Sequence, residues 1–234
     1  MRRKLIAGNW KMNKDIHETA DLLTDLKSRL SGTPDHVDTL VCPPFTSLVV
    51  AKGIIQGTSI KLGAQNMSEK DDCALTGEIS ARMLKEVGCE YVLVGHSERR
   101  QFFKETNDII NAKARKALAS HLTPIICVGE TLEEREAGVT EQIVTTQIKG
   151  VLVDIKPEEL FRVVIAYEPV WAIGTGKNAT PEEANQVHKL IRKQVGRMYS
   201  WSEAEKLAIL YGGSVNQQNR SEERRCRERV YVLV

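Results

Sequence analysis

Residues 91–100 read Tyr-Val-Leu-Val-Gly-His-Ser-Glu-Arg-Arg. The segment from Tyr91 to Gly95 is apolar without alternation, which is typical of a strand buried on both faces in a parallel sheet. The polar residues His96, Ser97 and Glu98 follow at the carboxyl end of that strand. Parallel strands that end in this way bring their polar residues to one edge, so the segment predicts a fold class and the location of a site.

Seven similar apolar runs occur in the rest of the chain. They are Lys4 to Trp10, Val37 to Cys42, Ile60 to Gln65, Thr123 to Gly129, Val163 to Tyr167, Leu207 to Tyr211 and Val230 to Val234. Eight strands with helical segments between them predict an α/β fold, a (β/α)8 barrel that forms a single domain over residues 1–234. An open doubly wound sheet is the alternative, although residues 8–11, Gly-Asn-Trp-Lys, lack its G-x-G-x-x-G pattern.

Three stretches between the strands have the apolar spacing of amphipathic helices. Their apolar faces are Ile16, Ala20, Leu23, Leu26 and Leu30; Val144, Ile148, Val151 and Leu152; and Ala184, Val187, Ile191, Val195 and Met198. Thr180 before Pro181 is a strong N-cap signal for the third helix. Residues 156–159, Lys-Pro-Glu-Glu, are a weaker signal of the same kind.

Composition is ordinary for a soluble globular protein. The chain has 33 Lys and Arg against 31 Asp and Glu, and this balance favours neither nucleic acid nor a membrane as a partner. Five cysteines without a C-x-x-C pair predict reduced thiols in a cytoplasmic protein and no metal site. Neither a signal peptide nor a membrane-spanning segment is expected, because no apolar run approaches 18 residues.

Polar residues stand at the carboxyl ends of most predicted strands. They are Asn9, Lys11, Gln65, Asn66, His96, Ser97, Glu98, Glu130, Glu168 and Gly212 to Ser214. In a closed barrel they meet on one rim, where barrel enzymes build their active sites. Turn residues with no catalytic role explain the same pattern about equally well.

Four long segments favour the enzyme. Residues 8–13 (Gly-Asn-Trp-Lys-Met-Asn), 94–100 (Val-Gly-His-Ser-Glu-Arg-Arg), 166–177 (Ala-Tyr-Glu-Pro-Val-Trp-Ala-Ile-Gly-Thr-Gly-Lys) and 211–215 (Tyr-Gly-Gly-Ser-Val) resemble, in order and spacing, the signature segments of the triosephosphate isomerase family. The resemblance extends from residue 4 to about residue 219. It implies a TIM barrel, a cofactor-free isomerase of triose phosphates in glycolysis and gluconeogenesis, and a homodimer formed through the loop from Gln65 to Glu78.

The resemblance also implies a role for each site residue. Glu168 matches the base that moves the proton, His96 a neutral hydrogen-bond donor, and Lys11 the cation that neutralises developing negative charge. Asn9, also catalytic, is expected to orient groups around the oxyanion. Glu98 is expected to hold the lysine in register, and Cys127 to be structural. Residues 169–179 resemble the family's lid. Phosphate is expected to bind Gly174 of that lid, Gly213 and Ser214 after the seventh strand, and Asn9 and Lys11.

The carboxyl-terminal part departs from the family pattern. Residues 216–229 contain five arginines and no apolar face, and the eighth βα unit is expected to be incomplete at Val234. The alternative function is therefore a catalytically impaired or non-catalytic variant barrel that acts as a binding protein. Another phosphate-binding barrel would not need the eleven-residue lid, and a nucleic-acid binder would have to use the arginine run.

Overall fold

The computed structural model describes residues 4–30, 36–172, 179–213 and 231–233. Eight parallel strands within these ranges lie in chain order and close into a barrel. They are β1 (Lys4–Asn9), β2 (Val37–Cys42), β3 (Ile60–Ala64), β4 (Tyr91–Val94), β5 (Thr123–Val128), β6 (Val164–Tyr167), β7 (Ala208–Tyr211) and β8 (Tyr231–Leu233). The predicted barrel is confirmed, and the open-sheet alternative is wrong because Ile6 pairs with Val232 and Ala7 with Leu233.

Helices surround the barrel and connect its strands. The α-helices in the described ranges are α1 (Ile16–Arg29), α2 (Leu48–Ile55), α3 (Ala81–Glu86), α4 (Ser97–Phe102), α5 (Asn107–Ala119), α6 (Leu132–Glu136), α7 (Thr140–Val151), α8 (Pro181–Met198) and α9 (Trp201–Lys206). The three predicted amphipathic helices correspond to α1, α7 and α8. No helix in this part of the chain combines the length and hydropathy that a bilayer crossing requires.

The two N-cap signals have different outcomes. Thr180 caps α8 as predicted: its hydroxyl oxygen accepts a hydrogen bond from Glu183 N at 3.2 Å, and the Glu183 carboxylate accepts one from Thr180 N at 2.7 Å. The weaker signal at Lys156 begins a 3-10 helix, Pro157–Arg162, and not an α-helix. The segment is short because β6 starts soon after it, at Val164.

Strand side chains are apolar on both faces because two separate layers bury them. Alternate strand residues fill the barrel interior, namely Leu5, Ala7, Leu40, Cys42, Leu93, Ile125, Cys127, Val164, Ala166 and Leu210. Intervening residues such as Val41, Val92 and Ile165 pack outward against helical residues that include Leu23, Ile148 and Ile191. This double burial is the physical reason for the unalternated runs. It leaves the strand ends as the place for polar side chains.

Candidate active site

Glu168 directly follows β6, and its carboxylate is buried at the carboxyl end of the barrel, with 1% of the residue exposed. Oε2 accepts a hydrogen bond from Ser97 N at 2.9 Å. Oε1 lies 3.2 Å from His96 Nε2 but accepts no hydrogen bond from the described residues. The backbone is fixed as well, because Glu168 N donates to Val128 O at 2.7 Å. A buried carboxylate with a lone pair still available is suited to accept a proton.

His96 is the N-cap residue of α4, which agrees with its predicted place at a helix start. Its Nδ1 accepts a hydrogen bond from Glu98 N at 3.3 Å, so in the neutral ring the proton is on Nε2. The Glu98 carboxylate also lies 3.4 Å from Nδ1. We infer the neutral tautomer from the backbone partner, because that N–H can only donate. Nε2, which then carries the proton, lies 3.2 Å from Glu168 Oε1.

Lys11 has a strained backbone that its neighbours hold in place. Its φ is 52°, in the left-handed region that few non-glycine residues adopt. Lys11 N donates to Asn9 Oδ1 at 3.0 Å, and Gln65 Nε2 donates to Lys11 O at 2.8 Å. The ammonium group lies 2.7 Å from Glu98 Oε1. Three strand ends, those of β1, β3 and β4, therefore determine where this cation lies.

The predicted site residues are brought together to different extents. A continuous chain of contacts joins Glu168, His96, Glu98, Lys11 and Asn9. Cys127 lies below this group in the barrel interior. Burial raises the pKa of its thiol well above the usual value, and the charge and hydrogen bond of Glu168 raise it further. Gly213 is buried just beyond β7. Gly174, Ser214 and residues 216–229 lie outside the described residues.

Sequence reasoning named Glu130 only as a polar residue at a strand end and missed its partners. Glu130 is fully buried after β5 and accepts hydrogen bonds from Tyr167 OH at 3.1 Å and Trp171 Nε1 at 3.0 Å. The Arg135 guanidinium lies 3.4 Å from the same oxygen and 4.3 Å from the centre of the Trp171 ring. These contacts fix the first residues of the segment that resembles a lid. The indication in the sequence was a tryptophan three residues after Glu168.

The other end of that segment has its own anchor. Ala179 N donates a hydrogen bond to Tyr211 OH at 3.2 Å, which joins the residue before the α8 N-cap to the end of β7. A Cβ atom on Gly213 would lie 2.2 Å from the same hydroxyl oxygen. Tyr211 OH therefore occupies the space beside Gly213 that any larger residue would need.

The described residues of the rim suit proton transfer. Within the described ranges, no three His, Cys, Asp or Glu residues are grouped so that they could hold a metal ion. The rim instead offers a buried carboxylate, a neutral imidazole donor and a cation that is 34% exposed. This set can remove a proton from carbon and stabilise the oxyanion that results.

The family model described as triosephosphate isomerase matches residues 4–228. Among curated proteins, the chain is 52% identical to the triosephosphate isomerase of Dictyoglomus turgidum over 219 residues, which cover 94% of this chain and 88% of that protein. It is 51% identical to the triosephosphate isomerase of Endomicrobium trichonymphae over 222 residues, covering 95% and 88%. Both comparisons agree with the geometry of the rim. The family model spans most of the chain, and the relatives are about half identical to it. The chain belongs to the triosephosphate isomerase family.

Proposed function

We propose that this protein interconverts dihydroxyacetone phosphate and D-glyceraldehyde 3-phosphate by proton transfer through an enediolate. The observation that carries the proposal is the placement of the buried Glu168 carboxylate 3.2 Å from His96 Nε2, in one contact network with Lys11. The names of the curated relatives support the choice of substrate.

Glu168 is the base in this reaction. Its carboxylate takes a proton from C1 of dihydroxyacetone phosphate, and the C–H electron pair forms the C1–C2 double bond while the carbonyl oxygen becomes an oxyanion. The resulting carboxylic acid then protonates C2, and the hydroxyl proton on O1 passes to O2 to give the aldehyde. The buried position of Glu168 excludes water from the carboxylate while the proton is transferred.

His96 and Lys11 stabilise the oxyanion. Nε2–H of the neutral imidazole donates to the substrate oxygens, and the Lys11 ammonium lowers the energy of the negative charge as it develops. Asn9 keeps the lysine backbone in its strained conformation. Glu98 holds the ammonium and Cys127 packs beneath the base, and neither takes part in the proton transfer.

The substrate phosphate binds to backbone groups of Gly174, Gly213 and Ser214, with Asn9 and Lys11 at the border of the same pocket. Position 213 has room for a glycine only, because a Cβ there would clash with Tyr211, so this position can offer the phosphate its backbone but no side chain. Backbone N–H groups bind a phosphate dianion without the need for a further charged side chain.

The protein acts as a homodimer through the loop from Gln65 to Glu78. Residues 69–78 include a run of exposed residues, and Leu75 has 45% of its surface exposed. Other exposed apolar side chains are Met12 at 96% and Met83 at 41%. Gln65 at the start of the loop binds Lys11 O, so contacts made by the loop can reach the site. Sedimentation of wild type and Leu75→Asp tests this, and a wild-type monomer would contradict it.

We place this single-domain protein in the cytoplasm, in line with its four described cysteines, all of which are free thiols. The decisive experiment for the activity is a coupled assay with glyceraldehyde 3-phosphate on the wild-type chain and on Glu168→Gln, a variant of nearly the same shape that lacks a base. We expect turnover by the wild type and its loss in the variant. A folded wild-type chain without turnover would instead favour a binding protein.

A further inference from the structure

Arg100 is hydrogen-bonded to the carbonyl oxygen of Cys127, whose thiol contacts the proposed base, and neither the sequence motifs nor the proposed mechanism gives Arg100 a role. Its three hydrogen bonds to described residues all go to neutral oxygens: Gly95 O at 3.0 Å, Asn107 Oδ1 at 2.8 Å and Cys127 O at 3.0 Å. None of these acceptors is charged, so they do not neutralise the guanidinium. Its positive charge can therefore act on other neighbouring groups.

These bonds connect the elements that hold the Glu168 carboxylate. Ser97, whose N–H binds Glu168 Oε2, is three residues before Arg100 in α4, so both lie on one side of the helix. Cys127, whose thiol contacts the carboxylate, gives its carbonyl oxygen to Arg100. The guanidinium therefore joins α4 to the end of β5 on either side of Glu168.

The charged groups around Arg100 also indicate an interaction with Glu168. Burial lowers the pKa of the guanidinium below its ordinary value, and the negative charges of Glu168 and Glu105 partly offset this effect. Glu105 already has Arg99 Nε at 2.7 Å and Lys113 Nζ at 2.6 Å. Glu168 has His96 at 3.2 Å and the Cys127 thiol, neither of which supplies a positive charge when the imidazole is neutral. Arg100 is therefore a permanent cation whose charge interacts with that of Glu168.

We propose that Arg100 is a positioning residue that keeps the Glu168 carboxylate fixed and ionised, by clamping α4 to β5 and by placing a positive charge beside it. This inference rests on the proposed function, in which Glu168 must be ionised to accept a proton. A positive charge near a carboxylate favours its ionised form, so losing that charge moves protonation to higher pH.

Three variants separate the charge from the clamp. Arg100→Gln removes the charge and keeps an amide donor, whereas Arg100→Lys keeps the charge and loses the planar fork. Asn107→Asp leaves Arg100 in place and puts a carboxylate against its guanidinium, so it neutralises the charge without breaking the clamp. The matched control is Asp108→Asn, an exposed charge change next to Asn107.

Two measurements on the full chain distinguish the effects of these variants. The first is the acidic limb of kcat/KM against pH, and the second is the titration of the Glu168 side-chain carboxyl carbon by 13C NMR, with Glu168→Gln identifying the resonance. We expect Arg100→Gln and Asn107→Asp to move both to higher pH by about one unit. Arg100→Lys and Asp108→Asn should stay near the wild type, although Arg100→Lys should lower the Tm.

The inference is overturned if Arg100→Gln and Asn107→Asp titrate like the wild type, or if Arg100→Lys shifts as far as Arg100→Gln. If Arg100 were purely structural, Arg100→Gln would lower Tm and kcat but would not move the acidic limb of kcat/KM. Should Arg100→Gln not fold, Asn107→Asp decides the question. A wild-type chain without isomerase activity would contradict the proposed function, whereas the NMR titration would still test Arg100.

Discussion

The backbone of Gly129 lies so close to the carbonyl group of Glu168 that a Cβ atom on the glycine would be 1.7 Å from that oxygen. Hydrogen bonds from Glu168 N to Val128 O at 2.7 Å and from Val170 N to Glu130 O at 3.1 Å flank this contact. Because Gly129 has no side chain, the backbone that carries the proposed base can lie flush against the end of β5.

Gly129→Ala should therefore displace Glu168. The added methyl cannot be accommodated at 1.7 Å, so the two backbones must separate. A shift of the base by about 1 Å costs on the order of 100-fold in rate. We expect kcat to fall by at least this much in steady-state assays, with a smaller change in KM.

The control is Gly53→Ala in the interior of α2, where a Cβ would meet nothing within 4 Å. Alanine there should raise the free energy of unfolding by about 0.5–1 kcal/mol and leave kcat unchanged. Wild-type kcat in Gly129→Ala would show that the close packing does not position the base.

Glu168→Asp tests the role of the carboxylate itself. The shorter side chain withdraws the base but leaves the phosphate contacts in place, so kcat should fall by orders of magnitude while KM changes little. Steady-state kinetics on both variants, Glu168→Asp and Glu168→Gln, check this. An unchanged kcat for the aspartate variant would remove Glu168 from its proposed role.

The fold could be predicted because it depends on local patterns. Unalternated apolar runs and helical spacing are visible in the sequence, and the bounds of β1 to β7 differ from the prediction by at most one residue at either end. The differences have physical causes. Gln65 leaves β3 to donate to Lys11 O and Cys42 O, and Gly95 leaves β4 with a φ of 70°. Polar and glycine residues at strand ends thus form the site and not the ladder.

The site could be predicted only where a residue is recognisable on its own. Glu168, His96 and Lys11 belong to segments that resemble the family, but their partners follow from the barrel register. Tyr167 and Glu130 are 37 residues apart in the chain, and no local pattern links them. The same holds for Arg100 and Cys127, which are 27 residues apart. These contacts require coordinates.

Tyr211→Phe tests the anchor at the end of the lid-like segment. The substitution removes the acceptor of the Ala179 N–H and keeps the ring, and the hydrogen bond between these two groups has a net value of about 0.5–1.5 kcal/mol. We expect kcat/KM to fall by up to about tenfold, with a loss of stability similar to that of the control below.

Tyr199→Phe is the matched control for Tyr211→Phe. Tyr199 OH donates to Leu152 O at 2.9 Å and lies 3.0 Å from Ile155 O, two carbonyl groups that follow α7 and lie outside the contact network of the site. Its loss should lower stability by about 1 kcal/mol and leave kcat/KM unchanged. Equal kinetic effects in the two variants would mean that the Tyr211 anchor has no special part in turnover.

Glu105 and Lys113 form a buried ion pair, with 4% and 5% of their side chains exposed and 2.6 Å between Oε1 and Nζ. Asn66 Oδ1 accepts a further hydrogen bond from Lys113 at 2.9 Å. Lys113→Met would leave the Glu105 charge buried, with Arg99 as its remaining cationic partner among the described residues. We expect a loss of about 3–5 kcal/mol in the free energy of unfolding, measured by urea denaturation at neutral pH.

The same pair should make stability depend on pH in the acid range. Burial raises the pKa of Glu105, but hydrogen bonds from Lys113 and Arg99 outweigh it and lower the pKa below the ordinary value of 4.5. A carboxyl whose folded pKa is depressed stabilises the protein fully above its unfolded pKa, and this contribution is lost as pH falls through the folded value. Wild-type stability from this group should therefore decline below about pH 4.5.

Lys113→Met removes one of the hydrogen bonds that lower the Glu105 pKa, while burial still raises it. The decline of stability with falling pH should therefore be flatter in this variant. Arg82→Met, which removes a cation that is 68% exposed, should leave the acid slope nearly as in the wild type, because exposed ion pairs contribute little. If stability fell equally steeply with pH in the wild type and in Lys113→Met, Glu105 would not be the cause of the loss of stability in acid.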